Sequence, residues 1–257
     1  MCLILFAYRP HTDFPLIIAA NRDEFYSRPT RAPHFWDDHP QIFAGRDLQA
    51  GGTWMGLSLN GRFAAVTNVR EGIPDNHYTT SRGELCGRFL GSDIPLDRYL
   101  DELADCADHY AGFNLLLGEF GDRRHPRLTY FSNRGAANGE LTAGIHGLSN
   151  GQLNEPWPKV SGGKAALCER LAQPVESIQT ILTDRQPAPL EQLPNTGIDP
   201  LLELQLSSCF IAMENYGTRS STVIRLDAKG EVEWLDQSFS EEGLLTEGAS
   251  HRFRLSC

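Results

Sequence analysis

Five side chains are of the types that acyl transfer uses: Cys2 in MCLILFAY, Asp23 in ANRDEF, Asn68 in AVTNVRE, Asn150 in GLSNGQLNEPWPKV and Arg219 in YGTRSSTV. A cysteine directly after Met1 has a specific chemical use. Aminopeptidases remove an initiator methionine when the next side chain is small, and the chain then begins with a residue carrying both a thiol and a free α-amine. Such an amine titrates at about 7.7 to 8.0, so it takes the thiol proton close to neutral pH, and nucleophile and base share one residue. A carboxylate at Asp23 would hold or orient that amine. Asn68 and Asn150 could donate to a developing oxyanion, and Arg219 could clamp a substrate carboxylate or support the nucleophile. Arg22 and His146 are the candidates for substrate contact. Each residue also has a plainer reading: a small buried thiol in an edge strand, a charged strand end whose Arg22 and Asp23 make surface pairs worth little, turn asparagines, a solvated arginine and a satisfied strand histidine.

The chemistry depends on elements that bring distant positions together. Cys2–Tyr8 and residues 15–20 are apolar runs separated by a polar stretch, which predicts an antiparallel hairpin. With its centre near His11 and Thr12, Cys2 falls opposite about Asn21, to within about two residues. A second hairpin is expected where WMGLSL and RFAAVTN flank Asn60-Gly61, with a two-residue turn that sets Thr53 opposite Asn68. On this basis Cys2, Asp23, Asn68 and Asn150 are expected to converge on one cleft.

Farther along, residues 81–91 and 96–110 carry apolar side chains at helical spacing, as at Leu96, Tyr99, Leu100, Leu103 and Ala107. FNLLLGEF, LTYFSN and GIHGLSN read as strands, residues 161–172 and 175–182 as helices. SSCFIAMEN, SSTVIRLD and EVEWLD read as strands again, the last two joined by a tight turn at residues 228–230. Blocks of strands separated by blocks of helices predict an α+β sandwich rather than an alternating parallel sheet. One domain over residues 1–257 is expected, with residues 186–200 as a long surface loop.

Composition narrows the partners. The chain has 257 residues, 40% hydrophobic and 22% charged, with a net charge of −10. That acidity, with scattered arginines, argues against nucleic acid, which is bound through clustered cations. Six cysteines lack close spacing, so reduced thiols and a cytoplasmic protein are expected, without an integral membrane segment. PHFWDDHP fits no standard metal spacing and reads as a surface loop with an aromatic anchor. The glycines of AGGTWMG lack the lysine of a phosphate loop and read as strand starts or bulges.

Taken together, MCLILFAY, ANRDEF, AGGTWMG, AVTNVRE, GLSNGQLNEPWPKV and YGTRSSTV make the chain resemble the NRDE family, to which the animal transport and Golgi organisation protein two homologues belong. The match runs in order along essentially the whole sequence. That family is similar to the N-terminal nucleophile hydrolases, which implies a four-layer αββα sandwich with the nucleophile at the start of a central strand. Choloylglycine hydrolases and penicillin V acylases offer the pattern to compare. In it the N-terminal cysteine matches Cys2, the following aspartate Asp23, an oxyanion asparagine Asn68, a second asparagine Asn150 and a late arginine Arg219. The sequence departs from it at Ala20, where the acylases carry an arginine; the nearest one is Arg22, which on a regular strand points to the face opposite Asp23. The resemblance thus implies a cysteine hydrolase for a small-molecule linear amide or acyl bond, needing no cofactor. Its alternative is a non-catalytic carrier of haem, lipid or acyl-CoA.

Overall fold

The computed structural model describes residues 2–10, 13–72, 78–135 and 138–256, so the loop centre at His11 and Thr12 lies outside the described residues. The chain divides into two compact units: Met1–Ser27, Arg70–Gly72 and Ala143–Phe253 form one, and Arg28–Val69, Ile73–Thr142 and Arg254–Cys257 the other. Each holds one sheet with helices against it.

In the first unit the strands are β1 (Cys2–Tyr8), β2 (Leu16–Phe25), β10 (Gly144–Leu148), β11 (Tyr216–Leu226), β12 (Glu231–Phe239) and β13 (Leu245–Arg254), in the order β10-β1-β2-β11-β12-β13. The β1–β2 hairpin forms as its apolar runs predict, with Cys2 opposite Arg22, one position from the expected Asn21. Odd-numbered residues of β1 and β2, among them Leu3, Leu5, Ile17 and Ala19, pack against Val160 of α3 (Pro158–Cys168) and Ile178 of α4 (Val175–Gln179). That face is therefore the helix face, and even-numbered residues lie on the other. The helix expected at 161–172 starts three residues earlier because Pro158 occupies its first position, where a missing N–H costs nothing.

SSCFIAMEN is not a strand. It makes one isolated bridge, Ala212 to Gly217, and reaches β11 through single bonds such as Thr218 N–H to the Ile211 carbonyl, 2.8 Å. Cys209, Phe210 and Ile211 are buried nevertheless, which is why the segment carries a strand-like pattern. A short helix, α5 (Pro200–Gln205), capped by the Asp199 carboxylate, precedes it.

The second unit contains β3 (Thr30–Phe35), β4 (Ile42–Asp47), β5 (Met55–Ser58), β6 (Arg62–Asn68), β7 (Phe113–Glu119), β8 (Arg127–Ser132) and β9 (Gly139–Glu140) in sequence order, with α1 (Gly83–Gly91) and α2 (Leu96–Cys106) on one face. α2 buries Leu96, Tyr99 and Leu103 as predicted, then tightens into a 3-10 turn at Ala107–His109. The Asn60-Gly61 hairpin differs from expectation by one residue, since Leu57 pairs with Phe63 and Gly56 with Ala64. Gly61 N–H closes on the Ser58 carbonyl at 2.9 Å with Gly61 at φ 84°, a three-residue loop whose left-handed glycine absorbs the extra position. PHFWDDHP contributes its first half to β3. Its anchor is Trp36, whose Nε1 donates to the Ala44 carbonyl at 3.2 Å.

Gly52 of AGGTWMG serves a close approach. A Cβ on Gly52 would lie 2.5 Å from the backbone carbonyl of Gly83 at the start of α1, and backbone cannot swing aside. Gly52→Ala should therefore lower stability by about 1–3 kcal/mol, read as a lower urea midpoint at unchanged slope.

Candidate functional site

Cys2 opens β1, flanked by two strands. In an antiparallel sheet directly opposed residues share a face. Cys2 is opposite Arg22, and Arg22 is opposite Ser220 on β11. On the other side, β10 pairs Leu148 with Ile4; two residues further along, the same register sets Asn150 beside Cys2. That continuation is held in place by Ser149 Oγ, which donates to the Cys2 carbonyl at 3.3 Å, and by the Arg70 N–H, which donates to the Asn150 carbonyl at 2.8 Å. Cys2, Arg22 and Ser220 thus form one row on the face away from the helices, and the segment after β10 brings Asn150 to its end. Asn150, Arg22 and Ser220 are all buried. Ala20, where the acylases carry an arginine, lies on the same face, opposite Ile4, while Arg22 is directly across from Cys2.

Asp23 lies on the opposite face by alternation, at the same end of the sheet. Its Oδ1 accepts from Thr218 Oγ1 at 2.7 Å, and its backbone carbonyl accepts from Tyr216 Oη at 2.9 Å. What Asp23 shares with Cys2 is the backbone end of β1 rather than the thiol side. Asn21, two residues earlier on that face, donates to the Leu182 and Cys209 carbonyls, both at 2.8 Å, and ties β2 to the segments packed on it.

Burial governs the electrostatics. Desolvation pushes the Cys2 thiol up, and the Asp23 carboxylate pushes in the same direction; Arg22 and the Asp23 backbone N–H oppose them by favouring the thiolate. Asp23 is also raised by burial, opposed first among side chains by Lys159 and then by the Thr218 hydrogen bond. Lys159 is pulled down by burial and held up chiefly by Asp23. Cys209, nearby, is pushed up to about 11 by burial, which leaves it protonated and inert at neutral pH.

The remaining sequence candidates fall elsewhere. His146 is opposite Phe6 and stacks on its ring at 5.1 Å, four positions along β1 from Cys2, or roughly 14 Å at the rise of a strand. Its ring Nδ1 meets Asn154 Nδ2 at 3.1 Å. Arg219 is the extra residue where the β2–β11 register shifts between Thr218 and Ser220. It donates to the Phe25 and Tyr26 carbonyls at 2.9 and 3.0 Å, fixing the path by which the chain leaves β2. Asn68 belongs to the second unit, where it ends β6 opposite Phe113.

Two contributors were not singled out from sequence. Ser220 is one; in YGTRSSTV nothing separates it from its neighbours until the bulge is known. Lys159 is the other, and it carried a signal: it lies in the first turn of α3, where a cation opposes the helix dipole and must be held by something else. Its Nζ donates to the Leu206 carbonyl at 2.8 Å, and it is buried.

A family model described as Transport and Golgi organisation 2 matches residues 1–241. The chain is 35% identical to a Transport and Golgi organization protein 2 homolog of Bos taurus, over 99% of both chains, and 34% identical to the homolog of Homo sapiens, over 95% of both. Among solved structures, a Caenorhabditis elegans N-acylethanolamine-hydrolyzing acid amidase ortholog superposes with a TM-score of 0.51 at 10% identity, covering 88% of this chain and 93% of the other. At that identity the likeness speaks to the fold, which is the α+β sandwich of the N-terminal nucleophile hydrolase type. Among the described residues no helix is long and apolar enough to cross a membrane.

Proposed function

The chain belongs to the Transport and Golgi organisation 2 family, and from the geometry at the start of β1 we propose that it is a cysteine hydrolase of a linear amide or related acyl bond. The observation that carries this reading is that Cys2 stands directly across from Arg22 on one sheet face, with the segment of Asn150 bonded beside it. With Met1 removed, the Cys2 amine takes the thiol proton while the Arg22 guanidinium favours the thiolate. Sulfur attacks the acyl carbonyl, and the oxyanion accepts from the Asn150 amide. The intermediate collapses as the amine returns its proton to the leaving amine or alkoxide, and water then repeats the sequence on the thioester to release the acid. Asp23 orients the amine from the other side of the sheet. Arg219 acts at one remove, by holding the end of β2. No step is assigned to Asn68.

Intact-mass measurement of the purified chain is expected to show loss of Met1. Incubation with a panel of N-acyl amides, N-acylethanolamines included, is expected to give a transient adduct equal in mass to the acyl group. A chain that keeps its methionine would have no amine on Cys2 and would sink this mechanism. The carrier reading predicts a different outcome, saturable binding of haem or acyl-CoA that Cys2→Ala leaves unchanged with no adduct formed.

A further inference from the structure

Two pairs of buried charges stand in the first unit. Arg22 meets Glu24 at 3.8 Å, and Arg70 donates to Glu203, all four side chains being largely buried. Lys159 and Asp23 are two more, each almost fully buried, Asp23 on the helix-side face of β2 and Lys159 in the first turn of the helix packed there. Val160, next to Lys159, packs in the cluster of Leu3 and Leu5, which brings the start of α3 over the start of β1. The Leu206 carbonyl satisfies one ammonium proton of Lys159 but none of its charge. An uncompensated buried cation is costly, and Asp23 is the carboxylate that most favours the charged form of this one.

We propose that Lys159 is a positioning residue for the nucleophile: by neutralising Asp23 it leaves the Cys2 α-amine unprotonated and free to act as base. This rests on the hydrolase reading for its purpose but not for its test. An aspartate alone beside an α-amine would keep that amine as an ammonium, which cannot accept the thiol proton. With Lys159 present, the proton that balances Asp23 sits on the lysine. The other charged or titratable groups acting on the pair or its neighbours are Arg22 and Glu24, on the far face of β2, Tyr216 on β11, Arg70 and Cys209. The first two balance each other, Arg70 is balanced by Glu203, and Tyr216 and Cys209 are held protonated by burial.

The amine can be titrated without any substrate. Chains carrying Cys2→Ser and starting at residue 2, checked by intact mass, would be labelled with acetic anhydride across a pH series and the N-terminal peptide quantified. Lys159→Met is expected to raise the amine midpoint by about one unit or more, with Lys159→Arg returning it towards the parent value. An unchanged midpoint in a folded Lys159→Met chain overturns the proposal, since loss of a merely structural lysine would not move it. If Lys159→Met does not fold, Asp23→Asn in the same background decides the matter: the lysine charge is then unbalanced, and the midpoint must drop below the parent's. A midpoint that stays or rises overturns the pairing. Shifts seen in a protein without hydrolase activity would support Lys159 and count against the hydrolase reading alone.

Discussion

Replacing Cys2 by alanine is expected to abolish acyl transfer and leave the fold intact. Alanine still permits removal of Met1, so the amine, Asp23, Asn150 and Arg22 all remain and only the sulfur is lost. Cys2 is half-buried at the first position of its strand, so the change should cost no more than about 1 kcal/mol of stability. The rate, in contrast, should fall on the order of 10⁴-fold or more, as it does when a nucleophile is removed from a preorganised site. Cys2→Ser sharpens the test. A hydroxyl is a far weaker acid than a thiol, and an amine of ordinary basicity does little to deprotonate it, so serine should also be nearly inactive although it fills the same volume. Hydrolysis within tenfold of wild type in Cys2→Ala, or an adduct that still forms, would end the assignment of Cys2 as nucleophile.

The strand of Cys2 and its neighbour could be read from sequence because the first hairpin is short-range: two apolar runs and a polar turn bring NRDE next to Cys2. What that reading could not resolve was which face each side chain takes. A register of Cys2 opposite Asn21 would have set the Asp23 side chain on the thiol's face, whereas the observed pairing with Arg22 turns every assignment over, because side chains alternate with period two. Arg22 thereby becomes the thiol's neighbour, and Asp23 is left at the backbone end of β1. Asn150 was found for a different reason. GIHGLSN has the look of a strand ending in turn residues, and β10 does end at Leu148, but that it runs beside β1 is a long-range pairing with no local mark.

Elsewhere, burial without a ladder defeated the pattern. Cys209 to Ile211 are as apolar and as buried as a central strand, yet they pack against β2 through carbonyls that accept from Asn21 and from the start of β11. The opposite failure occurred at β13, whose LTEGASHRFR is largely exposed and has no apolar face to betray it. Lys159 lay in a motif already picked out for its asparagine, and only the start of α3 at Pro158 makes a lysine there anomalous.

One pair deeper on the thiol's face than Cys2, the row Leu148, Ile4, Ala20, Thr222 and Asp236 crosses the same sheet. Asp236 is the outlier in that row. It is 3% exposed, and its Oδ1 accepts from Thr222 Oγ1 at 2.6 Å. Burial drives its pKa up to about 7; the Thr222 bond resists this and the charge of Glu247 adds to it. An unfolded aspartate titrates at about 3.9, so the folded chain holds this proton more tightly than the unfolded one. The stability it contributes is fully present below about pH 4, is lost as the pH rises through about 7, and changes no further above that. Three units at about 1.36 kcal/mol each amount to about 4 kcal/mol between those limits. Asp236→Asn cannot ionise and should abolish this slope. Urea unfolding of both chains from pH 4.5 to pH 8.5 should show the asparagine chain gaining on wild type throughout the climb to pH 7, by up to about 4 kcal/mol in total. An amide brings a second N–H that needs an acceptor, at a cost of about 1–3 kcal/mol, but that cost is the same at every pH. The slope of the difference is therefore the test and its offset is not, and two parallel curves would show that Asp236 is ionised in the fold.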